Sequence, residues 1–153
     1  MGSLLGNAVL RHESAVAKFR GDLYNYVYSY YMEPDGKRFT TTELDEENTA
    51  QVFNQYRKKY GIPSPDEIEK IKLDYGLSNA RLALILGFGE NQIANYLDGE
   101  VPSLSNGKTL AAVQIPAVME VFVDNAREQL GEKVYQKIKN RLAMQRHTEH
   151  ASR

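Results

Sequence analysis

Apolar and polar positions alternate along the first forty residues with the period of a β-strand. In LYNYVYSYYM, Tyr24, Tyr26, Tyr28 and Tyr30 fall on one face, and Asn25, Val27, Ser29 and Tyr31 on the other. EPDGK, Glu33 to Lys37, reads as a turn: Pro34 presets φ, Asp35 tolerates turn geometry and Gly36 accepts positive φ. RFTT returns as a partner strand, and AVLRH and AVAKF upstream read as two more short strands. The expected product is a small antiparallel meander. Its tyrosines fit a half-buried sheet surface, or a face offered to a partner or a second subunit.

Past Thr42 the period becomes helical. Leu44, Val52, Phe53 and Tyr56 form an apolar stripe behind an acidic first turn, and Gly61 stops the helix. Arg57, Lys58 and Lys59 in its last turn suit a C-terminal cap or, alternatively, a phosphate contact. Ser64, Pro65 and Glu67 spell a capping box for a second helix with Ile68, Ile71 and Tyr75 facing inward and Gly76 as its end. Ser78 caps a third, with Leu82, Ala83 and Leu86 on one face. A glycine-containing turn, LGFGEN, leads into QIANYL, then to Gly99, a proline loop and a short helix over Lys108 to Val113. Beyond Pro116 the chain is strongly helical, with Val134, Ile138 and Leu142 at four-residue steps and a frayed TEHASR end.

The pattern divides the chain into a β-rich module with a linking helix (1–62), a helical domain (63–113) and a C-terminal helical extension (114–153). The expected class is α+β. Helix, glycine, capped helix, turn, helix is the order of a helix-turn-helix domain, whose second helix projects into the major groove. With Gly89 as cap, the helix over 89–97 buries Ile93, Tyr96 and Leu97 and turns Glu90, Asn91, Ala94 and Asn95 outward, with Gln92 on the flank. Asparagine and glutamine pair bidentately with adenine N6 and N7, and a small Ala94 allows close approach.

Composition limits the rest. The chain has 153 residues, a formal net charge of −1 and no cysteine. No global field draws it to nucleic acid or acidic membranes. Disulfides, thiolate catalysis and cysteine-ligated metals are excluded. No apolar run approaches the roughly 20 residues of a membrane span, and MGSLLGNAVL lacks the features of a signal peptide. A cytoplasmic setting is expected. GFGENQ is no nucleotide fingerprint, since no third glycine follows. His147 and His150 of HTEH suit a loose tail better than a metal site, and His12 stands alone. Neither a metal, a cofactor nor an enzyme is expected.

The run GLSNARLALILGFGENQIANYLDGEVPS resembles the Xre/Cro class of helix-turn-helix. More closely it is similar to the helix-turn-helix half of MqsA-type (YgiT-type) antitoxins and their relatives in bacterial and prophage gene pairs. YYMEPDGKRFTTTELDEENTAQVFNQYRKKYGIPSPDEI resembles the segment joining the β zinc module to that half, so the likeness spans about Phe19 to Val113. The resemblance implies that Asn91 contacts a base, that Asn95 stands where the family carries a DNA-contacting arginine, and that Asn79 takes the place of a phosphate-gripping glutamine. Leu97 stands where the family has glutamate, and the zinc-ligating cysteines are missing, so zinc is not implied.

Charge complicates this picture. From Ser64 to Val113, Lys70, Lys72, Arg81 and Lys108 face Asp66, Glu67, Glu69, Asp74, Glu90, Asp98 and Glu100, a net of 4 − 7 = −3. Backbone contacts then fall to Asn79, Arg81 and Lys108, or to Arg57–Lys59 and the basic tail residues Lys133, Lys137, Lys139, Arg141 and Arg146. The expected function is a dimeric, antitoxin-like transcriptional regulator reading double-stranded operator DNA with Asn91, Gln92 and Asn95. The alternative is a protein-interaction module that neutralises a cognate toxin, phage factor or other neighbouring-gene product.

Overall fold

The computed structural model describes residues 4–151, and the fold is α+β. The expectation of no leader falls partly on Met1–Ser3, outside the described residues. The chain forms two compact units, Met1–Lys59 and Tyr60–Arg153.

The first unit is a four-stranded antiparallel sheet in sequence order, β1 (Leu4–Leu5), β2 (Ala8–Phe19), β3 (Asp22–Met32) and β4 (Arg38–Phe39), followed by helix α1 (Thr42–Tyr60). AVLRH and AVAKF are not two strands but parts of the single strand β2. No turn former interrupts them, and β2 pairs with β3 residue for residue from Val9↔Met32 to Phe19↔Asp22. The hairpin closes at Arg20 and Gly21, with φ of 49° and 89°, the positive pair of a type I′ turn. The EPDGK turn forms as expected: the Gly36 N–H donates to the Glu33 carbonyl at 2.8 Å. The return strand is shorter than RFTT, because Thr41 leaves the sheet and its Oγ1 accepts the Leu44 N–H at 3.2 Å, capping α1 one residue ahead of Thr42.

α1 buries Leu44, Val52 and Tyr56, and sets Phe53 and Tyr56 against Phe19 of β2. A second contact is polar. The Asn48 carboxamide accepts the Ser29 N–H at 2.9 Å and donates to the Ser29 carbonyl at 3.0 Å. Gln51 does the same at Val27 (3.0 and 2.8 Å), and Gln55 donates to the Asn25 carbonyl at 2.9 Å. Positions 48, 51 and 55 share one helix face, so a row of amides stands where a further strand would pair with β3. Arg57 is buried, which lowers its pKa, and its Nη1 donates to Asn54 Oδ1. Lys59 pairs with Asp22. Arg57 is thus engaged within α1 and Lys59 with the hairpin, so neither side chain is held out for a phosphate.

The second unit holds α2 (Pro65–Tyr75), α3 (Asn79–Leu86), α4 (Gln92–Leu97), α5 (Leu104–Ala112), α6 (Pro116–Asn125), α7 (Arg127–Leu130) and α8 (Glu132–Ala151). The Ser64–Glu67 capping box, the Ser78 cap and the left-handed Gly76 all form. α5 begins four residues before the expected Lys108, because Ser103 caps it by accepting the Asn106 N–H. α8 runs through TEHA to Ala151 rather than fraying at Thr148.

The expected division between 113 and 114 does not occur. Leu82, Ile93, Leu110, Val113, Met119, Val123 and Leu142 are all fully buried in one cluster, so α6 and α8 complete the core of α2–α5. None of the short helices is stable alone, and sharing a core is how they persist. Arg141 Nη2 donates to the Leu73 carbonyl at 2.6 Å and Gln145 Nε2 to the Asp74 carbonyl at 2.9 Å, so α8 also satisfies carbonyls at the C-terminus of α2.

Two substitutions test this packing. Asn48→Leu keeps the size but strands a buried N–H and carbonyl at Ser29, and is expected to destabilise the protein by about 2–4 kcal/mol in urea unfolding. Gly107→Ala improves helix propensity by roughly 1 kcal/mol, yet its Cβ would sit 2.7 Å from Ile62 Cγ1 in a filled core. Overpacking of this kind costs about 1–3 kcal/mol, so the variant is expected to melt at or below the parent temperature, and adding Ile62→Ala is expected to remove the clash.

Candidate nucleic-acid interface

The local sequence of α3 and α4 explains their relation. α3 ends at Gly87, which adopts the left-handed conformation and returns its N–H to the Leu84 carbonyl at 3.2 Å. Phe88 then turns back against the core and meets the Tyr96 ring edge-on at 6.2 Å. α4 starts at Gln92, with Asn91 rather than Gly89 in the N-cap position, and is six residues long. Its first turn is held by Gln92, whose Oε1 accepts the Gly89 N–H at 2.7 Å. That is half of a capping box, with the i+3 side chain reaching back to a backbone donor.

Ile93 and Tyr96 are buried as expected, and Leu97 is half-buried against the same cluster. The Tyr96 hydroxyl accepts from Asn106 Nδ2 at 2.8 Å, which ties α4 to α5.

The residues expected at the DNA interface, Asn79, Arg81, Glu90, Asn91, Gln92, Asn95 and Lys108, differ in what they are free to do. Glu90, Asn91 and Asn95 are exposed on α4 and its leading turn, and Asn91 makes no side-chain capping bond. Arg81 is exposed in the first turn of α3, and Lys108 is exposed on α5; neither forms an ion pair among the described residues. Gln92 departs from expectation, because its carbonyl oxygen already accepts the Gly89 N–H, which ties the side chain back to the turn and orients it away from a free flank position. Asn79 is half-buried with Oδ1 enclosed and unpartnered, which leaves Nδ2 as the end of the carboxamide able to make an outside contact. Arg81 and Glu90 both line a shallow depression of about 460 Å³ with Ser78, Leu84 and Phe88.

The basic tail is largely spent within its own unit. Lys139 bonds Glu120 and Asp124 and its pKa is raised by those two carboxylates, Arg146 pairs with Glu120, and Arg141 caps α2. Lys133 and Lys137 remain exposed and without an ion pair among the described residues.

Asn106 and the capping role of Gln92 were not anticipated from sequence. The Gly89-x-x-Gln92 spacing carried the signal for the second, whereas the Asn106–Tyr96 bond joins two helices and has no local pattern. No described helix is long and apolar enough to cross a membrane. No protein-family model matches this chain, and neither does any curated protein or solved structure.

Proposed function

We propose that the chain is a sequence-specific DNA-binding transcriptional regulator of the antitoxin-like kind, which reads operator DNA as a dimer through α4 and the turn before it. One observation supports this most. Gln92, Ser78, Ser103 and Asn106 carry the local hydrogen bonding, while the amides of Asn91 and Asn95 point outward with no partner among the described residues. Neutral amides on an exposed helix are suited to the N6 and N7 edge of adenine. Arg81, Lys108 and Asn79 supply the phosphate contacts.

Such a protein binds with little help from charge. Two cations per protomer at the interface correspond to a slope of about −2 per protomer in log K against log salt, shallow for a DNA-binding protein. Glu90, Asp98 and Glu100 penalise random DNA, so discrimination rests on the amides.

A second reading, a protein-interaction module, is favoured by the exposed apolar side chains of the sheet, Val16 (61%), Leu23 (70%) and Val27 (49%). Titration against DNA upstream of the chain's own coding sequence separates the two. The regulator reading expects a discrete footprint with the shallow slope. It expects Asn91→Ala to weaken the cognate site by about 1–3 kcal/mol and to leave random DNA nearly unchanged. Absence of a footprint at low salt, with co-purification of a neighbouring-gene product, would favour the second.

A further inference from the structure

The hairpin leaves one strand edge open. In antiparallel pairing, the N–H and C=O of one residue point to the same side, and successive residues alternate sides. Asn25, Val27 and Ser29 turn their backbone groups toward α1, where the carboxamides meet them. Tyr24, Tyr26, Tyr28 and Tyr30 therefore face β2, and their register partners Ala17, Ala15, Glu13 and Arg11 face β3. The alternate residues Leu10, His12, Ser14, Val16 and Lys18 turn their backbone groups to the far edge. Among the described residues, β1 covers only Ala8 and Val9 of that edge. α1 completes the edge of β3, whereas nothing described completes the edge of β2.

We propose that this edge is filled by the same edge of a second copy, with the two β2 strands antiparallel about a two-fold axis at Ser14. The free stretch is bounded by β1 at one end and by the Arg20–Gly21 turn at the other. Its outward residues, 10, 12, 14, 16 and 18, map onto themselves about Ser14, so this register uses the whole edge and forms about ten backbone hydrogen bonds. The side chains permit it. Arg11 falls opposite Ala17 of the other copy, Glu13 opposite Ala15, His12 opposite Val16, and Leu10 opposite Lys18. Glu13 is already paired with Arg38 at 3.1 Å. The register centred one residue earlier would set Glu13 directly against Glu13, a like-charge pair that cross-strand packing disfavours. A strand of another protein would meet the same backbone groups, but this self-matching span and its charge pattern favour a second copy. An unpaired edge of this length is otherwise an aggregation hazard.

The inference refines the dimer in the proposed reading, and its test uses no DNA, so the two can fail separately. Sedimentation of the full chain at micromolar concentration is expected to show a dimer. Ser14→Pro removes only an N–H on the outer edge, so β2–β3 pairing and the circular dichroism spectrum are expected to persist while the dimer dissociation constant rises about tenfold or more. The chain has no cysteine, so Ser14→Cys introduces the single thiol. Paired residues on the axis have Cα atoms about 5.5 Å apart, within disulfide range, so mild oxidation is expected to give a covalent dimer. Leu23→Cys, exposed on β3 away from the edge, is expected to stay largely uncrosslinked. A monomeric parent chain, a dimer unchanged by Ser14→Pro, or equal cross-linking of both cysteine variants would overturn the proposal.

Discussion

Backbone groups left over by short or one-sided elements must be paired, and in both units long polar side chains from a helix do the pairing. Asn48, Gln51 and Gln55 of α1 stand in for a strand along β3. Arg141 and Gln145 of α8 meet the last carbonyls of α2. At Ser29, where the contact is buried, an unpaired amide or carbonyl would cost about 1–3 kcal/mol, a large share of a domain's net stability, whereas the other contacts are exposed or part-buried and orient the helices more than they stabilise them. They are directional, whereas the apolar stripes beside them tolerate sliding.

The same division of labour shapes the candidate interface. A six-residue helix such as α4 cannot persist by propensity. Ile93 and Tyr96 hold it from beneath, Asn106 holds the Tyr96 hydroxyl, and Gln92 holds the turn. With structure carried by the inner face and the flank, the outer amides are left without a structural duty. That is the physical basis for the proposal that Asn91 and Asn95 carry recognition, whereas Gln92 mainly shapes the turn.

Much of the local architecture was legible because its signals span three or four residues. The Ser64–Glu67 box, the Ser78 cap, Gly76 and the EPDGK turn are all backbone groups met by a near neighbour in sequence. The inward positions of α2–α4 followed from period alone. Signals were misread where two residues competed for one role. Thr41 rather than a residue of the helix itself caps α1, and Asn91 takes the N-cap expected of Gly89, because the first helical bond runs from the Asn95 N–H to the Asn91 carbonyl while the Gly89 carbonyl closes only a three-residue turn at Gln92. The two short strands read from AVLRH and AVAKF are one, because Glu13 and Ser14 between them continue the extended pairing with β3.

By itself, the sequence determined the class of each segment, the caps, the turn at Gly36 and the apolar faces, since these rest on backbone preference and side-chain period. Tertiary structure alone decided which charges are spent and which elements share a core. Lys139, Arg141 and Arg146 look like a basic tail in one dimension but meet Glu120, Asp124 and the end of α2 in three. Met119, Val123 and Leu142 look like a separate extension but close the core around Leu82 and Ile93. Both outcomes depend on partners distant in sequence, because ion pairing and apolar burial act through proximity in space.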